Sequence, residues 1–271
     1  MIGAIFGDIA GSTYEFRPQK SKNFELLAEG SMPTDDTVMN IAVADALLQY
    51  DNGIDDLEKF KQTLTERMHH WGNRYPDAGY GSHFGTWLKE RRTKPYNSLG
   101  NGAAMRVSPV GWYADTLMDT CVLARATAEI THDHPDGIKG AVVVAGAIFL
   151  ARSGEPRERI RSFAERFYAL DLTLEEIRPT YTYDVTAEGS VPHALQAFLE
   201  ARDFEDAIRN AISLGGDSDT VAAITGAIAE AFFGITGERV KTVIQYLDEE
   251  QALTTLRFCK QYVTSLQKKN V

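Results

Sequence analysis

Residues 213–233 of the chain read SLGGDSDTVAAITGAIAEAFF, in which an acidic turn precedes a stretch that is apolar on nearly every side. A helix without a broad polar face is typical of the buried centre of a helical bundle. The many alanines and Gly226 would let neighbouring helices approach closely. Residues 38–48 show the same all-round apolar pattern. The sequence therefore predicts an all-α fold built around two central helices.

Amphipathic helices are predicted for much of the remaining chain, because apolar residues recur there at i, i+3, i+4 and i+7. This pattern occupies residues 57–71, 160–170, 195–199, 207–212 and 240–247. Ser190 with Pro192 predicts a helix start, and Gly154 predicts a helix end. Only residues 181–186 alternate like a strand. We expect one domain over residues 1–271, with a long connection over the Gly- and Asn-rich residues 72–102.

The composition suits a globular protein, with 44% hydrophobic residues and a formal net charge of -10. An acidic surface repels phosphate backbones, so we expect no general binding of nucleic acid. The N-terminal segment lacks the basic region of a signal peptide. The longest apolar run, residues 141–151, is far shorter than the ~20 residues of a membrane span. We expect a cytoplasmic protein without membrane association, either a monomer or a small homo-oligomer.

Three acidic clusters interrupt the apolar pattern, and two of them lie where a buried helix is predicted to begin. They are Asp8 with Glu15, the segment TDDT at residues 34–37, and the segment GGDSDT at residues 215–220. Helix capping by acidic and hydroxyl side chains is one explanation, with Asp217 as the N-cap of its helix. Capping requires only one such side chain, whereas each of these helix starts carries two carboxylates.

A cation site is the second explanation for the paired helix starts. If the two helices lie side by side, their carboxylates converge and cannot all stay ionised without cations. Carboxylate and hydroxyl oxygens are ligands for hard cations such as Mg²⁺, Mn²⁺ or Ca²⁺. The sequence therefore favours a site for two cations.

Other polar motifs give weaker signals. Gly100, Asn101 and Gly102 could expose successive N–H groups to a phosphate, although ordinary turns have the same composition. His132 and His134 lie in the segment THDHPDG, which lacks the remaining ligands of a zinc site, so we interpret it as a polar loop with one functional histidine. The segment GAIFGDIAG does not match a dinucleotide-binding motif.

Together these segments resemble the ADP-ribosylglycohydrolase family. The signature pieces GDIAGSTYEF, TDDT, GNGAAMR, the TH of ITHDHPDG and GGDSDT occur in order between residues 7 and 220. The resemblance implies a compact, single-domain orthogonal bundle of helices that binds two Mg²⁺, or Mn²⁺, at the base of a cleft.

The resemblance also implies roles for individual residues. Glu15 resembles the mobile glutamate of members that cleave ADP-ribose from serine, and Glu15 or Asp36 is the implied catalytic carboxylate. Leu99 and Ala103 depart from residues found in some members, which leaves the preferred leaving group open. The implied metal ligands are Thr34, Asp35, Asp36, Asp217, Asp219 and Thr220. The implied substrate-binding residues are Tyr96, Asn97, Ser98, Leu99, Gly100, Asn101, Gly102, Met105, His132, Gly215, Gly216 and Ser218.

The expected reaction replaces the group at C1″ of ADP-ribose by water. Bound cations would bind the 2″ and 3″ hydroxyls and fix the ribose ring while an oxocarbenium-like centre develops, and Glu15 or Asp36 would accept a proton from the attacking water. The expected substrates are ADP-ribose conjugates, with serine-linked protein favoured and O-acetyl-ADP-ribose included. The alternatives are an arginine-specific hydrolase, a catalytically weak ADP-ribose-binding module, and another two-metal phosphoesterase.

Overall fold

The computed structural model describes residues 1–50 and 54–263, so the remaining residues of the predicted single domain lie outside the described part. Fifteen α-helices and a closing π-helical turn at Cys259–Val263 make up the described fold, which has no strand in these residues. The prediction of an all-α fold is confirmed. The helices are α1 (Ile2–Ser12), α2 (Asp35–Gln49), α3 (Leu57–Arg74), α4 (Ser82–Lys89), α5 (Gly102–Met105), α6 (Ser108–Tyr113), α7 (Leu117–Glu129), α8 (Pro135–Arg152), α9 (Arg157–Ala164), α10 (Leu174–Ile177), α11 (Ala187–Leu199), α12 (Phe204–Ile212), α13 (Ser218–Phe233), α14 (Gly237–Tyr246) and α15 (Glu249–Phe258).

The two helices predicted to be central are buried. In α13, every residue from Ser218 to Glu230 is shielded from solvent, and α2 is buried on almost all sides. The apolar run of residues 141–151 lies in α8, which packs against α7, α6 and α13 in the interior. No helix of the described residues is long and apolar enough to cross a membrane.

Helix α1, which the sequence analysis did not assign, packs tightly against α13. A Cβ atom on Gly7 would lie 2.0 Å from the backbone oxygen of Ala222, and one on Gly3 would lie 2.2 Å from that of Gly226. Gly11 is equally close to the start of α13. The two helices are antiparallel, because Gly3 near the start of α1 contacts Gly226, whereas Gly11 near its end contacts Ser218. The end of α1 therefore lies beside the start of α13.

Two predicted boundaries are wrong. The segment 72–102 is not one continuous connection, because it contains α4, whose Trp87 stacks on His69 with ring centroids 4.2 Å apart. Helix α4 therefore packs against α3. Helix α11 begins before Ser190, because Thr186 caps it by accepting a hydrogen bond of 2.9 Å from Gly189 N. The predicted stop after α8 is confirmed, where Gly154 has a φ of 80°.

Candidate active site

Asp8 joins α1 to the start of α2. Its buried carboxylate accepts hydrogen bonds from Thr34 N at 2.9 Å, Thr34 Oγ1 at 2.7 Å and Thr37 N at 3.0 Å, and also from the Thr37 hydroxyl. Burial raises the pKa of Asp8, although these hydrogen bonds oppose the shift. Because its oxygens are used in this way, Asp8 fixes where α2 begins relative to α1.

The first turn of α2 points its carboxylates towards the first turn of α13. Thr34 is the N-cap of α2, and its side chain accepts a bond of 3.3 Å from Asp36 N. Asp36 Oδ2 accepts a hydrogen bond from Thr220 Oγ1 at 3.2 Å, which links the two helix starts directly. Asp36 Oδ1 is buried and has no hydrogen-bond partner among the described residues.

The first turn of α13 also carries buried carboxylates, but its N-cap residue is bonded differently. Asp217 occupies the N-cap position, as predicted, but its side chain makes no capping bond; Oδ2 instead accepts from Asn101 Nδ2 at 2.7 Å. Asp219 Oδ1 is buried without a hydrogen-bond partner in the described part of the chain. Glu15, Asp217 and Asp219 each offer a carboxylate oxygen within 4.8 Å of the others. The three acidic clusters of the sequence thus meet in one place.

These carboxylates have strongly shifted ionisation. Burial, followed by the charges of neighbouring carboxylates, raises the pKa of Asp36 and of Asp219 well above the usual range. The same causes raise the pKa of Asp35 to about 8. In residues 1–50 and 54–263, no lysine, arginine or histidine forms an ion pair with any of them. Converging carboxylates with unpartnered buried oxygens fit divalent cations with a preference for oxygen ligands.

A cavity of 340 Å³ opens beside the carboxylates. Its opposite wall includes Tyr96, Met105 and His132. His132 accepts or donates a hydrogen bond of 2.8 Å with the Thr131 hydroxyl, which itself accepts from Arg106 at 2.7 Å. Burial and then the charge of Arg106 hold the pKa of His132 well below its usual range, so the imidazole is neutral at pH 7. A neutral imidazole can bind a polar ligand without adding charge.

The structure brings most of the predicted site residues together. The predicted residues that line the cavity are Glu15, Thr34, Asp35, Asp36, Tyr96, Ser98, Gly100, Asn101, Gly102, Met105, His132, Asp217, Asp219 and Thr220. Five others, Asn97, Leu99, Gly215, Gly216 and Ser218, are outside the lining.

The two glycines before α13, which the resemblance implies as substrate-binding residues, lie close to other parts of the protein. Gly215 has a φ of 67°, and a Cβ there would lie 2.6 Å from Gln19 O. A Cβ on Gly216 would lie 2.4 Å from the ring of Tyr181. The Ser218 hydroxyl lies 3.2 Å from Gly216 O and 3.4 Å from Tyr14 O, so it bonds to the backbone of the protein. This turn is therefore packed against the protein itself.

The Gly/Asn loop also differs from the predicted set of free N–H groups. Gly100 N donates to Ser98 Oγ at 3.2 Å, and Asn101 N donates to Val185 O at 2.8 Å. Leu99 is exposed, and Asn97 N is bonded to Asp133 Oδ1 at 2.7 Å. These bonds shape the cavity wall and leave Gly102 against His132, where a Cβ would lie 3.0 Å from Nε2.

Sequence reasoning missed several residues of the cavity. Tyr183 and Val185 enter the lining from the loop between α10 and α11, which the sequence showed only as a brief strand-like alternation. Gly79 and two residues of α4, His83 and Phe84, also line the cavity. The signal for these residues was the predicted long connection over residues 72–102, since long connections in compact domains are often functional. His134 lies apart, as the cap of α8 that accepts a bond from Asp136 N.

Comparisons with known proteins identify the family of the chain. The family model described as ADP-ribosylglycohydrolase matches residues 1–265. ADP-ribosylhydrolase ARH3 of Homo sapiens is 27% identical, over 87% of this chain and 84% of that protein. ADP-ribosylarginine hydrolase Tri1 of Pseudomonas putida (strain GB-1) is 26% identical, over 88% of this chain and 70% of that protein.

A solved structure shares the fold. It is described as an ADP-ribosylglycohydrolase-related protein complex, with a TM-score of 0.66 and 25% sequence identity over 95% of this chain and 96% of that one. Since the family model spans almost the whole sequence, the chain belongs to the ADP-ribosylglycohydrolase family and is a hydrolase of the glycosidase type.

Proposed function

We propose that the protein is a Mg²⁺-dependent hydrolase that releases ADP-ribose from modified serine side chains or from small conjugates such as O-acetyl-ADP-ribose. One observation carries the metal dependence: the unpartnered, buried oxygens Asp36 Oδ1 and Asp219 Oδ1 on two linked helix starts. Two Mg²⁺, or Mn²⁺, would be held by Thr34, Asp35, Asp36, Asp217, Asp219 and Thr220. When bound, such cations neutralise the carboxylates and stabilise negative charge on ligand oxygens.

The protein's own residues would orient the substrate. Asn101 is held by Ser190 Oγ at 2.9 Å and by Asp217, so its side chain is fixed at the base of the cavity. Tyr96 lies 6.0 Å from His132, measured between ring centroids, and offers an aromatic wall for an adenine base. In this proposal the cavity wall binds the ADP-ribose moiety and leaves its C1″ near the carboxylates.

Of the two candidate catalytic carboxylates, Glu15 is better placed to exchange a proton. Its side chain is half-buried at the cavity, whereas Asp36 is 3% exposed and already accepts from Thr220. Burial raises the pKa of Glu15, which brings it nearer to the range of an effective general base. We therefore assign proton transfer from the attacking water to Glu15 and cation binding to Asp36.

A panel of substrates tests the proposal. Serine-linked and arginine-linked ADP-ribosyl peptides and O-acetyl-ADP-ribose are each incubated with Mg²⁺ and with EDTA, and released ADP-ribose is measured by chromatography. We expect Mg²⁺-dependent release, fastest from the serine-linked peptide. ADP-ribose binding without release from any of the three would identify a binding module, and release of phosphate would identify a phosphoesterase.

The same panel tests an arginine-specific hydrolase as the second candidate. This candidate is supported by the similarity to ADP-ribosylarginine hydrolase Tri1, which covers 88% of this chain. Faster release from the arginine-linked peptide than from the serine-linked one would favour it. If EDTA left the release of ADP-ribose unchanged for every substrate, metal dependence would be contradicted for either linkage.

A further inference from the structure

Tyr183 contacts Glu15 at the mouth of the cavity. The two residues are 168 positions apart, and the Tyr183 hydroxyl donates a hydrogen bond of 3.0 Å to Glu15 Oε1. Burial raises the pKa of the Tyr183 hydroxyl, so it keeps its proton and remains a donor at neutral pH. The loop before α11 thus supplies a direct partner for a carboxylate at the end of α1.

A ring contact reinforces this hydrogen bond. Phe16, the residue after Glu15, stacks on Tyr183 with ring centroids 6.3 Å apart and an interplanar angle of 27°. Phe16 is 79% exposed, so the stack is its main contact rather than part of the core. Two consecutive residues therefore contact Tyr183: Glu15 accepts a hydrogen bond from its hydroxyl, and Phe16 stacks on its ring.

Glu15 needs such a partner because its surroundings are acidic. Asp217 and Asp8 add to the burial that raises the pKa of Glu15, and no basic side chain in the described part of the chain forms an ion pair with it. Repulsion favours rotation of the carboxylate towards solvent, away from Asp217 and Asp219. The Tyr183 hydroxyl opposes this rotation.

We propose that Tyr183 is a positioning residue that holds the Glu15 carboxylate beside Asp217 and Asp219. The inference rests on the proposed function, since it assigns Tyr183 a role in the same site through Glu15. Tyr183 itself takes no proton and binds no cation in this account. Phe16 orients the tyrosine ring, so its removal weakens the same arrangement.

A double-mutant cycle tests this role through two measurements. The variants are Tyr183→Phe, which keeps the ring stack and removes the hydroxyl, Glu15→Gln, and the two combined. One measurement is kcat and KM for the substrate preferred in the panel. The other is Mn²⁺ affinity by electron paramagnetic resonance, which needs no turnover.

We expect Tyr183→Phe to lower kcat about 10-fold with little change in KM, as loss of a hydrogen bond to a charged group implies. Mn²⁺ affinity should fall as well, because the Glu15 carboxylate offers an oxygen within 4.8 Å of those of Asp217 and Asp219 and its negative charge there attracts the cation. Neither quantity should fall further when Tyr183→Phe is added to Glu15→Gln, because the tyrosine acts only through the carboxylate. Phe16→Leu should give a smaller loss of the same kind.

A matched control is Tyr168→Phe, whose hydroxyl has no hydrogen-bond partner among the described residues and lies outside the cavity. It should behave as wild type.

Additive effects of Tyr183→Phe and Glu15→Gln, or unchanged Mn²⁺ affinity in Tyr183→Phe, would overturn the inference. A wild-type protein that binds Mn²⁺ but hydrolyses none of the conjugates would contradict the proposed function alone, and the Mn²⁺ cycle would still decide the role of Tyr183. A wild-type protein without Mn²⁺ affinity would contradict both.

Discussion

Two buried aspartates that are close in sequence, Asp206 and Asp219, have opposite surroundings. Asp206 in α12 belongs to a cluster with Arg202 and Lys22, and it accepts hydrogen bonds from Arg202 Nε and Nη2, both at 3.1 Å, and from Lys22. Asp219, at the start of the next helix, has an oxygen with no partner in the described residues. The side chain of each aspartate is almost wholly shielded from solvent. The difference is that the chain supplies the cations for one cluster and not for the other.

The ionisation of the two clusters follows this difference. The hydrogen bonds from Arg202 and Lys22 hold the pKa of Asp206 well below its usual range. Burial and the charge of Asp217 raise the pKa of Asp219 well above it. Buried carboxylates of the first kind stabilise the fold, whereas those of the second kind destabilise it until something else compensates them. If the proposed cations bind beside Asp219, the stability of this part of the molecule should depend on them.

The largest expected effect is on activity. Asp36→Asn and Asp219→Asn should each lower Mg²⁺-dependent release of ADP-ribose by more than about 100-fold, since each removes a carboxylate assigned to cation binding. In EDTA the same variants should unfold at a higher temperature than wild type, because a buried carboxylate with a raised pKa is removed. The two measurements are the release assay and thermal unfolding. Wild-type rates in both variants would contradict the site.

The effect of the metal on stability is expected next in size. At a Mg²⁺ concentration of 100 times its Kd, binding to the folded state contributes about 2.7 kcal/mol. For a chain of 271 residues the melting temperature should rise by about 5 °C. Asp219→Asn should lose this rise, and Asp206→Asn should keep it as the matched control. An equal rise in wild type and Asp219→Asn would place the ion elsewhere.

The convergence of the carboxylates at the starts of α2 and α13 was partly predictable from sequence. The pairs of carboxylates before residues 38–48 and 221–233 predicted convergence, because starts of adjacent buried helices can meet. The helix that makes them meet was not predicted. Gly3, Gly7 and Gly11 recur every four residues, which is a signal of close helix packing.

Other parts of the site depend on contacts that sequence patterns do not encode. Tyr183 reaches Glu15 because the loop before α11 is fixed by the bridge between Gly100 and Thr186 and by the bond from Asn101 N to Val185 O. Such long-range loop positions follow from tertiary packing. Gly215 is a second example. The motif indicated a role for Gly215 in the site, but it did not indicate the positive φ or the close approach to Gln19 O.

The smallest expected effect concerns Asp206 and depends on pH. Asp206→Asn should lower the free energy of unfolding by about 1–2 kcal/mol at pH 7, because it weakens bonds to Arg202 and Lys22 whose exposure limits their strength. The folded pKa of Asp206 is lowered, so its contribution is fully present above the unfolded pKa of about 3.9 and is lost as the pH falls through the folded value. Urea unfolding between pH 7 and pH 3.5 measures the difference from wild type. It should be constant down to about pH 5 and then shrink. A difference that grows on acidification would mean that Asp206, like Asp219, is a carboxylate without sufficient compensation.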